Sequence, residues 1–271
     1  MIAPAALLPF IEETARAAGE VHLRYFRRLE SVEKKGAIDL VTVADREAEA
    51  VVRDRIRARF PGHRLLMEES GASPGPEDVT WVVDPLDGTT NFAHGMRLFA
   101  VSIAVLEGTR PVAGCIHAAA LDECYTASPG GGAWRNGAER LRVSTRAALA
   151  DSLLVTGFPY DRARVLGPLM EMMGAALARS RGVLRLGAAS LDMAAVAAGH
   201  LDGFYEFHLH PWDVAAGALL VEEAGGRLTD FEGRAYDVLA PRTTVATNGL
   251  VHAELLAAVT GPRASAFAAA T

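Results

Sequence analysis

Cysteine is scarce in this chain, which contains only Cys115 and Cys124 among its 271 residues. The two lie nine positions apart, a spacing that fits neither a CxxC redox pair nor a zinc-binding pattern. We therefore expect reduced thiols with a structural role, in a cytoplasmic protein.

Long hydrophobic runs and blocks of basic residues are also missing. No apolar run approaches the ~20 residues that cross a bilayer, and Pro9, Glu12 and Glu13 interrupt the N-terminal segment, which is unlike a signal peptide. Lysine and arginine number 27 against 33 aspartates and glutamates, for a net charge of −6. Neither nucleic acid nor an anionic membrane is therefore expected as the main partner, and we predict a soluble cytoplasmic protein.

The rest of the composition is that of an ordinary globular protein, with 50% apolar and 22% charged residues. A chain of this length can bury one large core. We expect a single domain over residues 1–271, made of approximate halves 1–144 and 145–271.

Hydrophobic periodicity differs between the two halves. In the first, helical spacing predicts helices over 6–27 and about 43–59, and short apolar runs between turn signals predict an antiparallel meander. Its strands are expected at 63–67, 79–83, 98–106, 112–117 and 124–127. In the second half strands and helices alternate, which is typical of α/β layering. The strands there are expected at 153–156, 183–186, 203–207, 227–230 and 244–246, and the helices at about 166–178, 190–198, 214–224 and 250–259.

One segment stands out, because an apolar strand leads directly into two carboxylates. The segment is Trp81-Val82-Val83-Asp84-Pro85-Leu86-Asp87-Gly88-Thr89-Thr90-Asn91-Phe92. Pro85 cannot continue a sheet ladder and Gly88 permits a tight turn, so Asp84 and Asp87 are expected on one compact loop at the end of the strand. Two carboxylates held this close repel each other, so we expect a bound cation to offset their charges.

The residues that follow are suited to an anion. Gly88, Thr89 and Thr90 can present backbone N–H groups and hydroxyls, as the start of a helix does. Metal on one side and phosphate on the other is the chemistry of a phosphatase.

Each acid also has an ordinary structural explanation. Asp84 and Asp87 can form Asx turns beside proline and glycine. However, Glu68 follows the strand predicted at 63–67 and would bring a third carboxylate to the same sheet edge. Such carboxylates repel one another, and oxygen ligands without histidine or cysteine favour Mg²⁺ or Mn²⁺ over zinc.

Asp45 and Asp213 stand near the starts of predicted helices. Asp213 can simply oppose the helix dipole, so its spacing leaves a metal-binding role open. Asp45 fits a capping box that begins at Thr42, which explains it fully by local structure.

Four segments together resemble the inositol monophosphatase family of Mg²⁺-dependent, lithium-sensitive phosphatases. They occur in the family's order and at similar spacings, and they extend over nearly the whole chain. The segments are Asp39-Leu40-Val41-Thr42-Val43-Ala44-Asp45, Glu68-Glu69-Ser70, Asp84 to Phe92 as written above, and Trp212-Asp213-Val214-Ala215-Ala216-Gly217.

The resemblance implies a layered αβαβα sandwich, of α+β or α/β class, of the kind shared by inositol monophosphatases and fructose-1,6-bisphosphatases, and a homodimer. It implies roughly two or three Mg²⁺ ions, with Mn²⁺ as a substitute and Li⁺ as an inhibitor. The implied metal ligands are Glu68, Asp84, Asp87, Asp213 and the Leu86 carbonyl. Lys34 is similar to a family lysine near the metals, although Lys35 is an equally near neighbour.

The same resemblance implies direct phosphoryl transfer to water. Asp45, Glu68 and Thr89 would be the catalytic residues, with Thr89 and its partner Asp45 helping to activate the attacking water; this adds to the capping role of Asp45. The implied substrate contacts are Gly88, Thr89, Thr90, Ala189, Glu206 and Asp213.

The expected reaction is hydrolysis of an inositol monophosphate, of the myo-inositol 1-phosphate type, to inositol and phosphate. Superfamily members also hydrolyse fructose 1,6-bisphosphate, histidinol phosphate or 3′-phosphoadenosine 5′-phosphate. Thr90 argues against the nucleotide branch, where lysine is common, and Glu206 favours a polyol, but neither excludes the other two. A non-catalytic member that binds protein or RNA is a less favoured alternative. Met67 replaces a glycine usual in the family and can alter the pocket.

Overall fold

The computed structural model describes residues 4–29, 33–34, 40–75, 78–160 and 162–260. The helices of this part are α1 (Pro4–Tyr25), α2 (Val43–Arg59), α3 (Thr89–Ala93), α4 (Leu166–Arg179), α5 (Ala189–Ala197), α6 (Pro211–Glu223) and α7 (His252–Val259). The strands are β1 (Glu33–Lys34), β2 (Leu40–Val41), β3 (Arg64–Met67), β4 (Gly71–Ala72), β5 (Val79–Asp87), β6 (Ala100–Glu107), β7 (Arg110–Ala118), β8 (Glu123–Ser128), β9 (Gly132–Arg135), β10 (Glu139–Arg140), β11 (Leu153–Thr156), β12 (Gly182–Leu184), β13 (Gly203–Phe207), β14 (Arg227–Thr229) and β15 (Thr243–Thr247).

Two sheets carry most of these strands. The larger has eight strands in the order β10-β9-β8-β7-β6-β5-β3-β4, and the smaller has five in the order β12-β11-β13-β15-β14. Strands β1 and β2 form a separate antiparallel pair. The smaller sheet is mixed, because β11 runs parallel to β12 and β13 while β15 runs antiparallel to β13 and β14.

The helices and sheets alternate in layers. Helices α1 and α2 cover one face of the large sheet, α5 and α6 lie between the sheets, and α4 and α7 cover the outer face of the small sheet. The side-chain alternation of strands produces this division: Val82 faces the middle helices, whereas Trp81 and Val83 face α1 and α2. The predicted αβαβα fold is confirmed.

The large sheet departs from the prediction at the edge that matters for function. Strand β3 pairs parallel with β5, so the antiparallel meander runs only from β5 to β10. Strand β5 also continues to Asp87 instead of ending before Asp84. Its pairing with β6 is irregular between Asp84 and Asp87, which accommodates Pro85, since proline cannot donate to the ladder.

Smaller differences concern the ends of elements and the two cysteines. Helix α6 begins at Pro211, before the predicted start at 214. Cys115 and Cys124 are free and buried, with their sulfur atoms 3.5 Å apart. Lys35 and Asp39, which the resemblance brought into consideration, lie outside the described residues, as does the side chain of Lys34. No helix in the described ranges is long and apolar enough to cross a membrane.

Candidate active site

The parallel pairing of β3 and β5 brings the first two acids together. Met67 lies opposite Val83 in the register, and the Glu68 N–H donates to the Val83 carbonyl at 3.1 Å. Glu68, directly after β3, and Asp84, on β5, therefore lie next to each other at the same edge of the sheet. The Asp84 carboxylate accepts the Leu86 N–H at 2.9 Å, forming the Asx turn expected beside Pro85.

Asp87 joins the first half of the chain to the second. Its Oδ2 accepts the backbone N–H of Ser190 at 2.8 Å and the Ser190 hydroxyl at 2.5 Å. Ser190 lies in the first turn of α5, so the start of this middle helix is fixed against the end of β5. Sequence reasoning missed Ser190, because no local spacing relates it to Asp87.

A short helix begins directly after the acids. Gly88 has φ +86°, in the left-handed region that glycine favours. A Cβ there would lie 2.8 Å from the Leu98 carbonyl oxygen, so no larger residue fits without movement. Helix α3 then starts at Thr89, and its first backbone N–H groups are available to an anion.

Thr89 and Asp45 are in hydrogen-bonding contact. The Thr89 hydroxyl lies 3.0 Å from Asp45 Oδ1 and 2.9 Å from the Leu86 carbonyl oxygen. Asp45 Oδ2 meanwhile accepts the N–H and hydroxyl of Thr42, at 2.7 and 2.6 Å. The capping box is therefore present, and it uses one carboxylate oxygen while the other faces Thr89.

The remaining two acids come from the second half. Asp213 lies in the first turn of α6, and its Oδ2 accepts the His210 N–H at 2.7 Å. Glu206 lies on β13, where a Cβ added to Gly157 would be 2.2 Å from its carboxylate oxygens. The bare backbone of Gly157 thus leaves room for the Glu206 carboxylate.

A single cavity of about 280 Å³ is lined by nearly all the predicted site residues. Asp45 is the exception, and it stands behind Thr89. The predicted residues in the lining are Glu68, Asp84, Leu86, Asp87, Gly88, Thr89, Thr90, Ala189, Glu206 and Asp213. A wider depression of about 480 Å³ contains only one of them, Glu68, so we take the smaller cavity as the candidate site.

Electrostatics make this cavity unfavourable for several negative charges at once. Removal from water, followed by repulsion from Glu68, Asp87 and Asp213, raises the pKa of Asp84 well above its usual value. Loss of water likewise raises the pKa of Asp213, with repulsion from Asp87 second. Burial raises the pKa of Asp87 to about 6, although the Ser190 hydrogen bonds oppose the shift. No lysine or arginine forms an ion pair with Asp84, Asp87 or Asp213 within the described part of the chain.

The donor set fits a hard divalent cation. Every candidate ligand is an oxygen, and the mutual repulsion of the acids is what a bound cation relieves. In their present arrangement, no three His, Cys, Asp or Glu side chains among the described residues are grouped to hold an ion.

His22 on α1 contacts the backbone between Asp84 and Leu86. It is fully buried on α1, and its Nε2 lies 2.8 Å from the Pro85 carbonyl oxygen, to which it donates. Burial lowers the pKa of His22 to about 4, so the imidazole is neutral near pH 7. Helix α1 thereby anchors the residue between Asp84 and Leu86.

Other residues of the lining were not found from the sequence. They include Arg185, Asp192, Gly157 and Phe158. For Asp192 a signal existed, since it is the only charged residue in the apolar helix Ala189–Ala197. For Gly157 and Phe158 no local pattern pointed to the cavity.

Solved structures share this arrangement of layers. An inositol monophosphatase from Anabaena (Nostoc) superimposes with a TM-score of 0.86 at 39% identity, over 97% of this chain and 98% of that one. The fold is thus that of known phosphatases.

Sequence comparison extends the likeness to the family level. Residues 4–262 match the inositol monophosphatase family. An inositol-1-monophosphatase of Mesorhizobium japonicum is 43% identical over 96% of this chain and 98% of the relative. A Nus factor SuhB of Pseudomonas aeruginosa is 47% identical over 81% of this chain and 83% of the relative. The chain belongs to the inositol monophosphatase family.

Proposed function

We propose that this protein is a Mg²⁺-dependent phosphomonoesterase that hydrolyses inositol monophosphate, of the myo-inositol 1-phosphate type, to inositol and phosphate. The observation that carries the proposal is one cavity in which the acid cluster adjoins the start of α3 and the Thr89–Asp45 pair. The family membership supports the same reaction.

Metal binding falls to the acids at the end of β5 and their neighbours. We assign Glu68, Asp84, Asp87, Asp213 and the Leu86 carbonyl as the ligands of roughly two or three Mg²⁺ ions. Mn²⁺ would substitute and Li⁺ would inhibit. When bound, Mg²⁺ supplies Lewis acidity and neutralises charge during phosphoryl transfer.

The protein's own groups then hold the substrate and move a proton. The backbone of Gly88, Thr89 and Thr90 would bind the phosphate oxygens, as helix starts do. The attacking water would pass a proton through the Thr89 hydroxyl toward Asp45, whose pKa burial raises to about 6, which suits a base near neutral pH. Ala189, Glu206 and Asp213 would contact the alcohol that leaves when its bond to phosphorus breaks.

A substrate panel tests the assignment. Purified protein is incubated with inositol 1-phosphate, fructose 1,6-bisphosphate or histidinol phosphate, and released phosphate is measured with Mg²⁺ and after chelation with EDTA. We expect Mg²⁺-dependent release that is fastest with inositol 1-phosphate. A preference for either of the other two would replace the substrate, and absence of turnover on all three would reject the enzyme.

A second candidate comes from the relatives named Nus factor SuhB. A non-catalytic role in binding protein or RNA predicts no Mg²⁺-dependent phosphate release. The acid cluster favours the enzyme, because a binding module has no need of repelling carboxylates in a cavity.

We also propose a homodimer. Leu166, Met170 and Leu177 project from the outer side of α4 and are exposed, as is Leu184 on the edge strand β12. A group of exposed apolar side chains beside a sheet edge is typical of an interface. Sedimentation should give twice the chain mass, and Met170→Glu combined with Leu177→Glu should shift it to the monomer.

A further inference from the structure

Asp192 is a buried acid of the cavity lining that the proposed mechanism does not use. It lies on α5, and only 1% of its surface is exposed. Its Oδ1 has no hydrogen-bond partner among the described residues. A buried carboxylate without hydrogen-bond donors is unfavourable. We therefore expect a bound molecule to supply a donor to Asp192.

The position of Asp192 shows where that group would come from. Asp192 lines the same cavity as Asp87 and Glu206. Burial and then the charge of Asp192 raise the pKa of Glu206, which places the two carboxylates within electrostatic reach of each other. The positive charge of Arg185 lowers the pKa of both Asp192 and Glu206, so it opposes the effect of burial. The Arg185 guanidinium lies over the Phe158 ring, 5.7 Å from its centroid.

A purely local role does not account for these contacts. Asp192 is in the first turn of α5 and can oppose the helix dipole. However, Asp45 and Asp213 serve their helices by accepting a backbone N–H at the N-cap. Asp192 accepts no such bond among the described residues, and a dipole effect alone does not require burial in a cavity wall.

We propose that Asp192 is a specificity-determining residue that binds the leaving alcohol. Together with Glu206 it forms a two-carboxylate acceptor for substrate hydroxyls, and Arg185 provides the matching donor at the cavity wall. The inference rests on the proposed phosphatase function, and it narrows the substrate class to phosphate esters of polyols with several free hydroxyls.

The chemistry of the three side chains favours a polyol over other alcohols. Each hydroxyl can donate to a carboxylate and accept from the guanidinium at the same time. An alcohol without further hydroxyls would leave two buried carboxylates without hydrogen-bond donors. Sites built to bind a hydroxyl discriminate strongly against a substrate that lacks it.

The test compares two substrates in the Asp192→Asn variant, in the presence of Mg²⁺. Inositol 1-phosphate offers hydroxyls to the subsite, whereas p-nitrophenyl phosphate offers none. We expect the KM for inositol 1-phosphate to rise about tenfold, with kcat changed less than about threefold, because a hydrogen bond to a charged group is lost. For p-nitrophenyl phosphate, kcat/KM should stay within about twofold.

Asp54→Asn is the matched control, since Asp54 is exposed and paired only with Arg53 among the described residues. Arg185→Gln is the second variant if Asp192→Asn does not fold. Arg185 is exposed, and its loss should also raise the KM for inositol 1-phosphate selectively. Equal losses on both substrates, or no change with inositol 1-phosphate, would overturn the proposal.

Two further outcomes separate this inference from the proposed function. If the wild type releases phosphate from neither of these substrates, nor from fructose 1,6-bisphosphate or histidinol phosphate, the phosphatase assignment itself is wrong. If the wild type prefers histidinol phosphate, and Asp192→Asn raises the KM for histidinol phosphate instead, the phosphatase assignment stands but the polyol subsite is refuted.

Monodeoxy analogues of inositol 1-phosphate extend the test to a thermodynamic cycle, in which one change removes a substrate hydroxyl and the other replaces Asp192. One analogue should lack the hydroxyl that Asp192 accepts. That analogue should be hydrolysed equally by the wild type and by Asp192→Asn, while the others keep the difference. Additive losses for every analogue would show that Asp192 contacts none of these hydroxyls.

Discussion

Asp84 and Asp202 are equally hidden from solvent, yet their surroundings differ. The Asp202 carboxylate receives the Leu153 N–H at 2.7 Å, the Arg146 guanidinium at 3.2 Å and the Ser144 hydroxyl. The Asp84 carboxylate receives the Leu86 N–H and otherwise faces other acids, which raise its pKa after burial does.

The contrast separates two uses of a buried acid. Asp202 has its donors within the chain, so it ties the segment at Ser144 to β11 and stabilises the fold. Asp84 lies among other buried acids, whose mutual repulsion a bound cation would relieve. A buried carboxylate with donors around it therefore indicates architecture, and one among other carboxylates indicates a binding site.

The largest expected effect is on catalysis, in Asp87→Asn. Loss of one ligand charge should lower kcat by about 10³-fold. The thermal midpoint of the metal-free protein should stay the same or rise, because repulsion within the cluster is relieved. Phosphate release and calorimetry in EDTA measure the two. A variant with a near-normal rate would remove Asp87 from the ligand set.

Asp202→Ala should show the reverse pattern. Removing a fully buried acid that accepts from Leu153, Arg146 and Ser144 should lower the free energy of unfolding by about 3 kcal/mol. The kcat of the folded fraction should change less than about twofold, since Asp202 does not line the cavity. Urea unfolding and active-site titration check these values. A large loss of kcat at full folding would contradict the distinction.

Metal addition should stabilise the protein through the acid cluster around Asp84 and Asp87, and not through Asp202. At about 100 times its dissociation constant, Mg²⁺ should raise the free energy of unfolding by about 2.7 kcal/mol. The gain should persist in Asp202→Ala and nearly vanish in Asp87→Asn. Calorimetry with a Mg²⁺ series, and a Na⁺ control at equal ionic strength, would detect it.

The smallest effect is a pH dependence of the metal-free protein. The pKa of Asp87 is raised to about 6, so its contribution to stability is present below its ordinary pKa and is lost as the pH rises through about 6. Asp87→Asn lacks this titration. The variant should therefore gain about 2 kcal/mol relative to the wild type between pH 4 and pH 7.5. A constant difference across that range would show that Asp87 carries no such shift.

Local patterns in the sequence were sufficient for much of the fold and for the acids. Apolar periodicity placed the long helices and the central strands within a few residues, because burial alone sets it. Charged residues that follow apolar strands pointed to Glu68, Asp84 and Asp87. Their convergence in one cavity agrees with the prediction, while their roles as ligands stay predictions.

What escaped prediction depends on partners distant in the chain. The continuation of β5 past Pro85 is set by its pairing with β6, and the parallel pairing of β3 with β5 leaves no local signal. Asp192 resembles any first-turn acid until the cavity is seen.

The contact between Asp87 and Ser190 also bears on how the molecule is made. It joins positions 103 residues apart, and contacts of such separation form late because closing the intervening loop costs entropy. A growing chain thus carries its cluster of acids long before α5 docks against it. Until then those acids remain open to water and free to spread apart, so affinity for cations should appear only with the last stage of folding.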